Sequence, residues 1–153
     1  MTDLVVYYSR TNNTKKVAQI ISENKNADIV EVKDNKERSG KLNFLTSAVS
    51  MMFNRNTNIS YEHVNLNGYD TIYIGSPVWT SGPTPAIIEF IKENDFTNKN
   101  IVTFATYLSN NGEKTTNKMN ELIKENGGNI VKSFSFASKS NMKELTLEEI
   151  KDL

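Results

Sequence analysis

Five short runs of hydrophobic residues recur along the chain, separated by longer stretches that contain polar residues. The first, third and fourth runs are continuously apolar and do not alternate with polar positions. Continuous runs of this kind are typical of strands that are buried on both faces of a parallel sheet. The pattern therefore predicts five strands, which cover residues 4–8, 29–32, 71–75, 101–105 and 130–137.

Apolar residues at helical spacing occupy most of the stretches between these runs. A Thr-Pro pair marks one helix start, with Thr84 as the N-cap and Pro85 at the first helical position. A capping-box pattern at residues 146–149 indicates another start near the C-terminus, whereas residues 54–67 are polar and irregular. The predicted helices cover residues 14–24, 41–53, 85–94 and 115–126.

Strands that alternate with helices predict an α/β domain. The chain has 153 residues, a length typical of one domain, so we expect residues 1–153 to form a single unit. Right-handed crossovers connect successive parallel strands and place the helices against the sheet. The predicted fold is a doubly wound, five-stranded parallel sheet with helices on both faces.

Composition and charge exclude several classes of function. Lys plus Arg and Asp plus Glu number 18 each, which argues against nucleic-acid binding, because that function shows as a basic excess. The chain has no cysteine and one histidine, His63, so disulfides, thiol catalysis and Cys- or His-rich metal sites are excluded. No apolar run approaches the roughly 20 residues that span a bilayer, and no signal-peptide pattern opens the chain. We expect a cytoplasmic protein with no metal site and no membrane contact.

Residues 9–14 place hydroxyl and amide side chains directly before the first predicted helix. A helix N-terminus carries unpaired N–H groups and the positive end of the helix dipole, so a loop there can hold a phosphate. The hydroxyls of Ser9, Thr11 and Thr14 would add donors to the same anion. The loop lacks the ending of the Walker loop and the glycines of the dinucleotide fingerprint. A capped turn without a ligand is the alternative interpretation.

Three loops are expected to follow the carboxyl ends of the first, third and fourth strands, where open parallel sheets bind ligands. They cover residues 9–14, 76–83 and 106–112. The second loop contains the only tryptophan, Trp79, and the third contains Tyr107. Taken alone, Trp79 and Tyr107 also fit ordinary packing residues, and residues 110–112 fit an ordinary turn. Because all three loops fall on one edge of the sheet, together they favour a ligand with a phosphate at one end and a flat ring at the other.

The chain resembles the flavodoxin family in two motifs. The first has aliphatic and aromatic residues at positions 5–7, the hydroxyl-bearing Ser9, and Thr14 five positions later, as in the family's FMN phosphate signature. The second, residues 67–79, is similar to the stretch that enters the third strand and delivers an aromatic residue to the flavin in small flavodoxin-like proteins. The resemblance extends over nearly the whole chain and implies the strand order 2-1-3-4-5.

The chain also departs from the family. The family has a small residue where this chain has Asn12, at the point where the backbone approaches the phosphate. No glycine follows Trp79 directly, and the nearest one is Gly82. Electron-carrying flavodoxins are typically acidic, whereas this chain is neutral, so the family's docking to basic partners is not carried over.

The resemblance implies FMN as the cofactor and no catalytic side chain. Residues 9–14 would hold the phosphate, Trp79 and its loop would cover one face of the ring, and residues 106–112 would line the other side. The implied cofactor-binding residues are Ser9, Arg10, Thr11, Asn12, Asn13, Thr14, Pro77, Val78, Trp79, Thr80, Ser81, Gly82, Thr106, Tyr107, Leu108, Ser109, Asn110, Asn111 and Gly112.

Electron transfer is the function that the resemblance implies first. Such a carrier would dock transiently with redox partner proteins, a flavoprotein reductase or an iron–sulfur protein, as a monomer or weak dimer. The chain has no evident insertion for a substrate pocket, which favours the carrier over a small FMN-dependent NAD(P)H:quinone-type reductase. A flavin-free flavodoxin-like binding module is the second alternative. A phosphoacceptor receiver is disfavoured, because the chain lacks the carboxylates that such a domain needs after the first and third strands.

Overall fold

A central sheet with helices on both faces organises the described part of the chain. The computed structural model describes residues 2–35 and 59–138. The helix predicted at residues 41–53 and the capping box predicted at residues 146–149 lie outside the described residues. Along the chain, the elements are β1 (Leu4–Tyr7), α1 (Asn13–Lys25), β2 (Asp28–Glu31), β3 (Lys33–Asp34), β4 (Ile59–Ser60), a 3-10 turn (Leu66–Gly68), β5 (Thr71–Pro77), α2 (Pro85–Lys92), β6 (Asn100–Tyr107), α3 (Gly112–Glu125) and β7 (Asn129–Ala137).

Five strands lie side by side in the order β2-β1-β5-β6-β7, and every neighbouring pair is parallel. They are the five predicted strands in the order 2-1-3-4-5, so the predicted fold class is confirmed. β5 and β6 extend further toward their carboxyl ends than predicted, because Pro77 still pairs with Thr106. This extension carries the two strands directly into the loops of the predicted site.

A second, antiparallel pair forms between β3 and β4, and no sequence pattern predicted it. Each of these strands has two residues, which is too short to show a hydrophobic period. β4 and the start of the 3-10 turn fall in the described part of residues 54–67, the stretch predicted to be irregular. The pair lies outside the five-stranded sheet and does not change its topology.

Helix α1 covers one face of the sheet, whereas α2 and α3 cover the other. Val17 of α1 belongs to a buried cluster that also contains Phe104 of β6. Phe90 of α2 and Ile123 of α3 belong to a second cluster together with Val6 of β1. Burying a side chain of this size stabilises the fold by about 1.5–3 kcal/mol. Burial on both faces explains why the sequence shows continuous apolar runs for β1, β5 and β6.

Two helices begin after an asparagine in the left-handed region of backbone space. Asn12 precedes α1 with φ 66°, and Asn111 precedes α3 with φ 68°. The sequence predicts that α3 begins at Thr115, because an Asn-Asn-Gly segment is typical of a turn. The structure instead starts the helix at Gly112, so that this segment forms the entry to the helix.

Candidate functional site

The three predicted loops meet at the carboxyl edge of the sheet. The loop after β1 leads to Thr14, whose Oγ1 lies 2.9 Å from Thr106 Oγ1 at the end of β6. The loop after β5 reaches the same strand, because the Val78 N–H donates to the Thr106 carbonyl at 2.9 Å. Its Ser81 Oγ accepts from Asn111 Nδ2 of the third loop at 3.1 Å. The topology therefore brings the loops together, while their role in ligand binding stays a prediction.

The N-terminus of α1 has donors that the described residues leave unused. Asn12 makes no side-chain capping bond, and the first turn contains no acidic residue. The backbone N–H groups of Asn13 and Thr14 have no acceptor within residues 2–35 and 59–138. This terminus therefore offers N–H groups and the positive end of a helix dipole to an anion.

The hydroxyls of the first loop are partly engaged inside the protein. Ser9 Oγ accepts from the Lys15 N–H at 3.2 Å, and Thr11 Oγ1 accepts from Asn13 Nδ2 at 3.4 Å. Thr14 is 1% exposed, and its hydroxyl shares a single hydrogen bond with its partner on β6. A hydroxyl that accepts a bond keeps its own O–H for another acceptor. Hydroxyls and backbone amides beside one helix terminus form a donor set that fits a phosphate.

Asn12 stands where the flavodoxin family has a small residue, and its backbone explains why it is tolerated. It adopts φ 66° and ψ 2°. Glycine reaches this left-handed region without strain, and asparagine is among the few other residues that visit it routinely. Asn12 therefore preserves the turn into α1 and adds an exposed amide at the helix terminus.

Trp79 begins a tight turn whose two central residues are Thr80 and Ser81. The Trp79 N–H donates to the Gly82 carbonyl at 2.8 Å, and the Gly82 N–H donates back to the Trp79 carbonyl at 3.0 Å. Thr80 and Ser81 have φ values of 46° and 67°. Holding non-glycine residues in this region costs on the order of 1–3 kcal/mol each. The strain falls on these two residues, since Gly82 has no positive φ.

The half-buried Trp79 ring contacts Arg10 of the first loop and Tyr8, which lies between β1 and that loop. The ring centroids of Trp79 and Tyr8 are 5.6 Å apart and their planes are perpendicular, at 89°. Arg10 Cζ lies 5.3 Å from the centroid of the Trp79 ring. A cation–π contact of this kind contributes about 0.5–1 kcal/mol at an exposed site. The first loop and the Trp79 turn therefore pack together as one unit.

Tyr8 is the residue of this unit that the sequence did not single out. It occupies the position of the phosphate signature that accepts any residue. Its aromatic character at the end of an apolar strand is the one available signal. That signal equally fits a core position, and Tyr8 is indeed buried.

Gly112 shapes the third side of the site, where α3 begins against the end of the sheet. A Cβ atom at this position would lie 2.6 Å from Ser135 Cβ and 2.7 Å from Tyr107 Cδ1. Any side chain here would therefore push α3 away from β6 and β7. By contrast, Leu108 is 86% exposed and forms apolar surface at the rim.

The predicted site residues divide by exposure into three sets. The buried residues are Thr14, Thr106 and Gly112. The half-buried residues are Ser9, Asn13, Pro77, Val78, Trp79, Ser81, Gly82, Tyr107 and Asn111. The exposed residues are Arg10, Thr11, Asn12, Thr80, Leu108, Ser109 and Asn110. The predicted site therefore combines a few buried residues with exposed ones around them.

Arg10 is the only charged residue in the sequence of the three loops. The first carboxylate beyond them is Glu113, in the first turn of α3. Burial, and then the nearby Glu31 carboxylate, raises the pKa of Tyr7 to about 12, so this phenol is neutral at physiological pH.

In the described ranges, no group of three or more acidic or histidine side chains could hold a metal ion. No helix there is long and apolar enough to cross a membrane.

The matching family model and the similar solved structures point to the same family. The family model described as Flavodoxin matches residues 2–148, whereas the curated proteins give no match. A flavoprotein from Lactobacillus acidophilus NCFM in complex with FMN is 25% identical, with a TM-score of 0.74 over 88% of this chain and 92% of that one. A protein from Bacteroides uniformis ATCC 8492 that is assigned to the flavoproteins is 26% identical, with a TM-score of 0.84 over 98% of this chain and 97% of that one. Oxidised Flavodoxin 2 from Bacillus cereus, 16% identical, shares the fold with a TM-score of 0.67 over 99% of this chain and 94% of that one.

Proposed function

The chain belongs to the flavodoxin family, and we propose that it binds FMN and carries electrons between redox partner proteins. The observation that carries the proposal is the junction of the α1 terminus with the Trp79 turn, where Arg10 lies over the indole at 5.3 Å. The FMN complex of the Lactobacillus acidophilus flavoprotein supports the same cofactor for this chain. The family model covers residues 2–148, which supports a single domain over residues 1–153.

The first loop is proposed to hold the phosphate. The backbone N–H groups of Asn13 and Thr14, the amide of Asn12 and the hydroxyls of Ser9, Thr11 and Thr14 would donate to its oxygens. A hydrogen bond to a charged group contributes about 1.5–3 kcal/mol, so a few such bonds favour FMN strongly over riboflavin. The loop lacks a dinucleotide glycine pattern, which favours FMN over FAD.

The second and third loops are proposed to hold the ring. Trp79 would cover one face, with the other residues of 77–82 shaping that wall, and residues 106–112 would line the opposite side. FMN supplies the redox chemistry when it is bound, and the protein sets the orientation, electrostatics and access. The aromatic cover and the buried site residues would exclude water from the inner part of the ring.

A carrier is favoured over a free-standing reductase by the side chains at the rim. A reductase needs a group that delivers or steers a proton beside its second substrate. The three loops contain no histidine and no carboxylate. Electron transfer needs an exposed edge and a small, transient docking surface. Leu108, 86% exposed and flanked by uncharged side chains, suits such docking to a flavoprotein reductase or an iron–sulfur protein.

Two assays test this proposal. First, the purified protein, or the protein reconstituted with FMN, should be yellow and release FMN on denaturation. Second, the loaded protein is mixed with NADH or NADPH and a quinone, with and without a separate flavoprotein reductase. We expect the protein to be reduced rapidly only when the reductase is present. Rapid turnover without it would contradict the carrier and favour the quinone reductase, and failure to bind FMN would favour a flavin-free module.

A matched pair of variants tests the docking surface. Leu108→Ser should slow reduction by the partner reductase, because it removes exposed apolar surface at the rim. Val131→Ser removes an aliphatic side chain that is 57% exposed on β7, away from the site, and should leave that rate unchanged. Equal rates for both variants would place docking elsewhere.

A further inference from the structure

The turn that carries Trp79 is not stabilised by its own sequence. Both central residues, Thr80 and Ser81, have positive φ values, 46° and 67°. A two-residue turn with this backbone is of the type I′ kind and strongly prefers asparagine and glycine. A β-branched residue such as threonine is a clear outlier there. Such a conformation persists only when the surrounding structure holds it.

Asn111 supplies one of the contacts that hold the turn. It precedes α3, where an asparagine side chain normally caps the helix by accepting a backbone N–H. Here it makes no capping bond. Its Nδ2 instead donates to Ser81 Oγ at 3.1 Å and to Asn110 Oδ1 at 2.9 Å. The side chain is therefore diverted from its own helix to a turn that is 30 residues away in sequence.

Asn111 has no free side-chain N–H with which to bind a ligand. An asparagine amide nitrogen carries two protons, and both are directed to protein oxygens. The side chain has no donor left for a flavin. We propose that Asn111 is a positioning residue, a latch that fixes the Trp79 turn through Ser81 before any ligand arrives.

The consequence of the latch is a preorganised aromatic wall. Trp79 already contacts Tyr8 and Arg10 on the side of the first loop, and the latch joins its turn to the third loop. A group that is ordered before binding loses less conformational entropy when the ligand binds. This consequence for affinity rests on the proposed FMN function, whereas the latch itself does not.

Time-resolved fluorescence anisotropy of the flavin-free protein tests the latch directly, because Trp79 is the only tryptophan. Asn111→Gly keeps a residue that accepts the left-handed backbone and removes the amide. We expect faster and larger local depolarisation of Trp79 in Asn111→Gly and in Ser81→Ala. The double variant should show no further increase, because both substitutions remove the same bond. Asn98→Gly, at an exposed residue with φ 64° between α2 and β6, is the matched control and should resemble the wild type.

Unchanged depolarisation in Asn111→Gly, or additive effects in the double variant, would overturn the latch. Titration with FMN provides a second readout, in which loss of one hydrogen bond should weaken binding by about 2- to 10-fold. A wild-type protein that does not bind FMN would overturn the proposed function, and the anisotropy comparison would still decide the latch.

Discussion

Helices α1 and α2 both begin at the carboxyl edge of the sheet, but a side chain caps the N-terminus of α2 only. At α2, Thr84 Oγ1 accepts the Ile87 N–H at 3.4 Å, and Pro85 has no N–H to satisfy, as the sequence predicted. At α1, Asn12 is left-handed and its side chain caps nothing. The dipole is positive at the N-terminus of each helix. Within the described residues, α1 leaves the N–H groups of Asn13 and Thr14 without an acceptor, whereas α2 leaves only that of Ala86.

This difference supports the proposal that the α1 terminus binds a ligand, whereas the α2 terminus is capped by the protein itself. A capping side chain contributes about 1 kcal/mol to stability, and α1 lacks that contribution in the protein alone. An anion at the terminus would restore it. α3 also follows an uncapped asparagine and leaves the N–H groups of Gly112 and Glu113 without an acceptor in the described residues. It differs from α1 because Glu113 places a carboxylate in its first turn, which offsets part of the positive end of the dipole.

Exchanging a threonine for alanine at each terminus should separate the two roles. Thr14→Ala removes a hydroxyl from the proposed phosphate site and should raise the Kd for FMN by about 10- to 100-fold. Thr84→Ala removes the cap of α2 and should lower the free energy of unfolding by about 1 kcal/mol without changing that Kd. Isothermal titration and denaturant unfolding of both variants measure the two effects. Equal effects on the Kd would remove the distinction between the termini.

The pH dependence of binding should sharpen the comparison. A phosphate monoester takes up its second proton near pH 6, and the positive terminus of α1 favours the dianion. FMN affinity should therefore fall by up to about tenfold from pH 7 to pH 5. The loops contain no histidine that would titrate in this range. Riboflavin, which lacks the phosphate, is the control, and an equal pH slope for both flavins would contradict the site.

A carboxylate placed at the α1 terminus should compete with the ligand. Asn12→Asp should stabilise the flavin-free protein by about 0.3–1 kcal/mol through the helix dipole. It should weaken FMN binding by at least about 5-fold, because the carboxylate repels the phosphate and the amide donor is lost. Asn26→Asp is the matched control, at an exposed left-handed residue that ends the same helix. There the new charge should lower stability and leave FMN binding unchanged. Tighter FMN binding in Asn12→Asp would be the contrary result.

The fold was predictable because its buried strands leave a strong pattern. β1, β5 and β6 are covered on both faces, so their residues are apolar without interruption, and the alternation with helices implies parallel pairing. β3 and β4 left no such signal, since two residues cannot display a period. The sequence predicts the start of α3 three residues too late, at Thr115 instead of Gly112, because Asn111 and Gly112 are equally typical of a turn.

The site was predictable as a set of loops but not as a set of contacts. Topology places the ends of β1, β5 and β6 on one edge, and the residue types there indicate a phosphate and a ring. The contact of Tyr8 with Trp79 and the bond from Asn111 to Ser81 depend on tertiary geometry. A Thr-Ser pair gives no signal for a left-handed turn, because local preference opposes the conformation that the structure imposes.

The central claim is that one ligand places its phosphate at the α1 terminus and its ring against Trp79. Titrating the flavin-free protein with FMN and, separately, with riboflavin, while following Trp79 emission, tests both halves at once. We predict that FMN quenches the emission in proportion to occupancy and binds at least about 100-fold more tightly than riboflavin, since two or more charge-assisted hydrogen bonds are lost with the phosphate. Equal affinities for the two flavins, or unquenched Trp79 at saturating FMN, would contradict it.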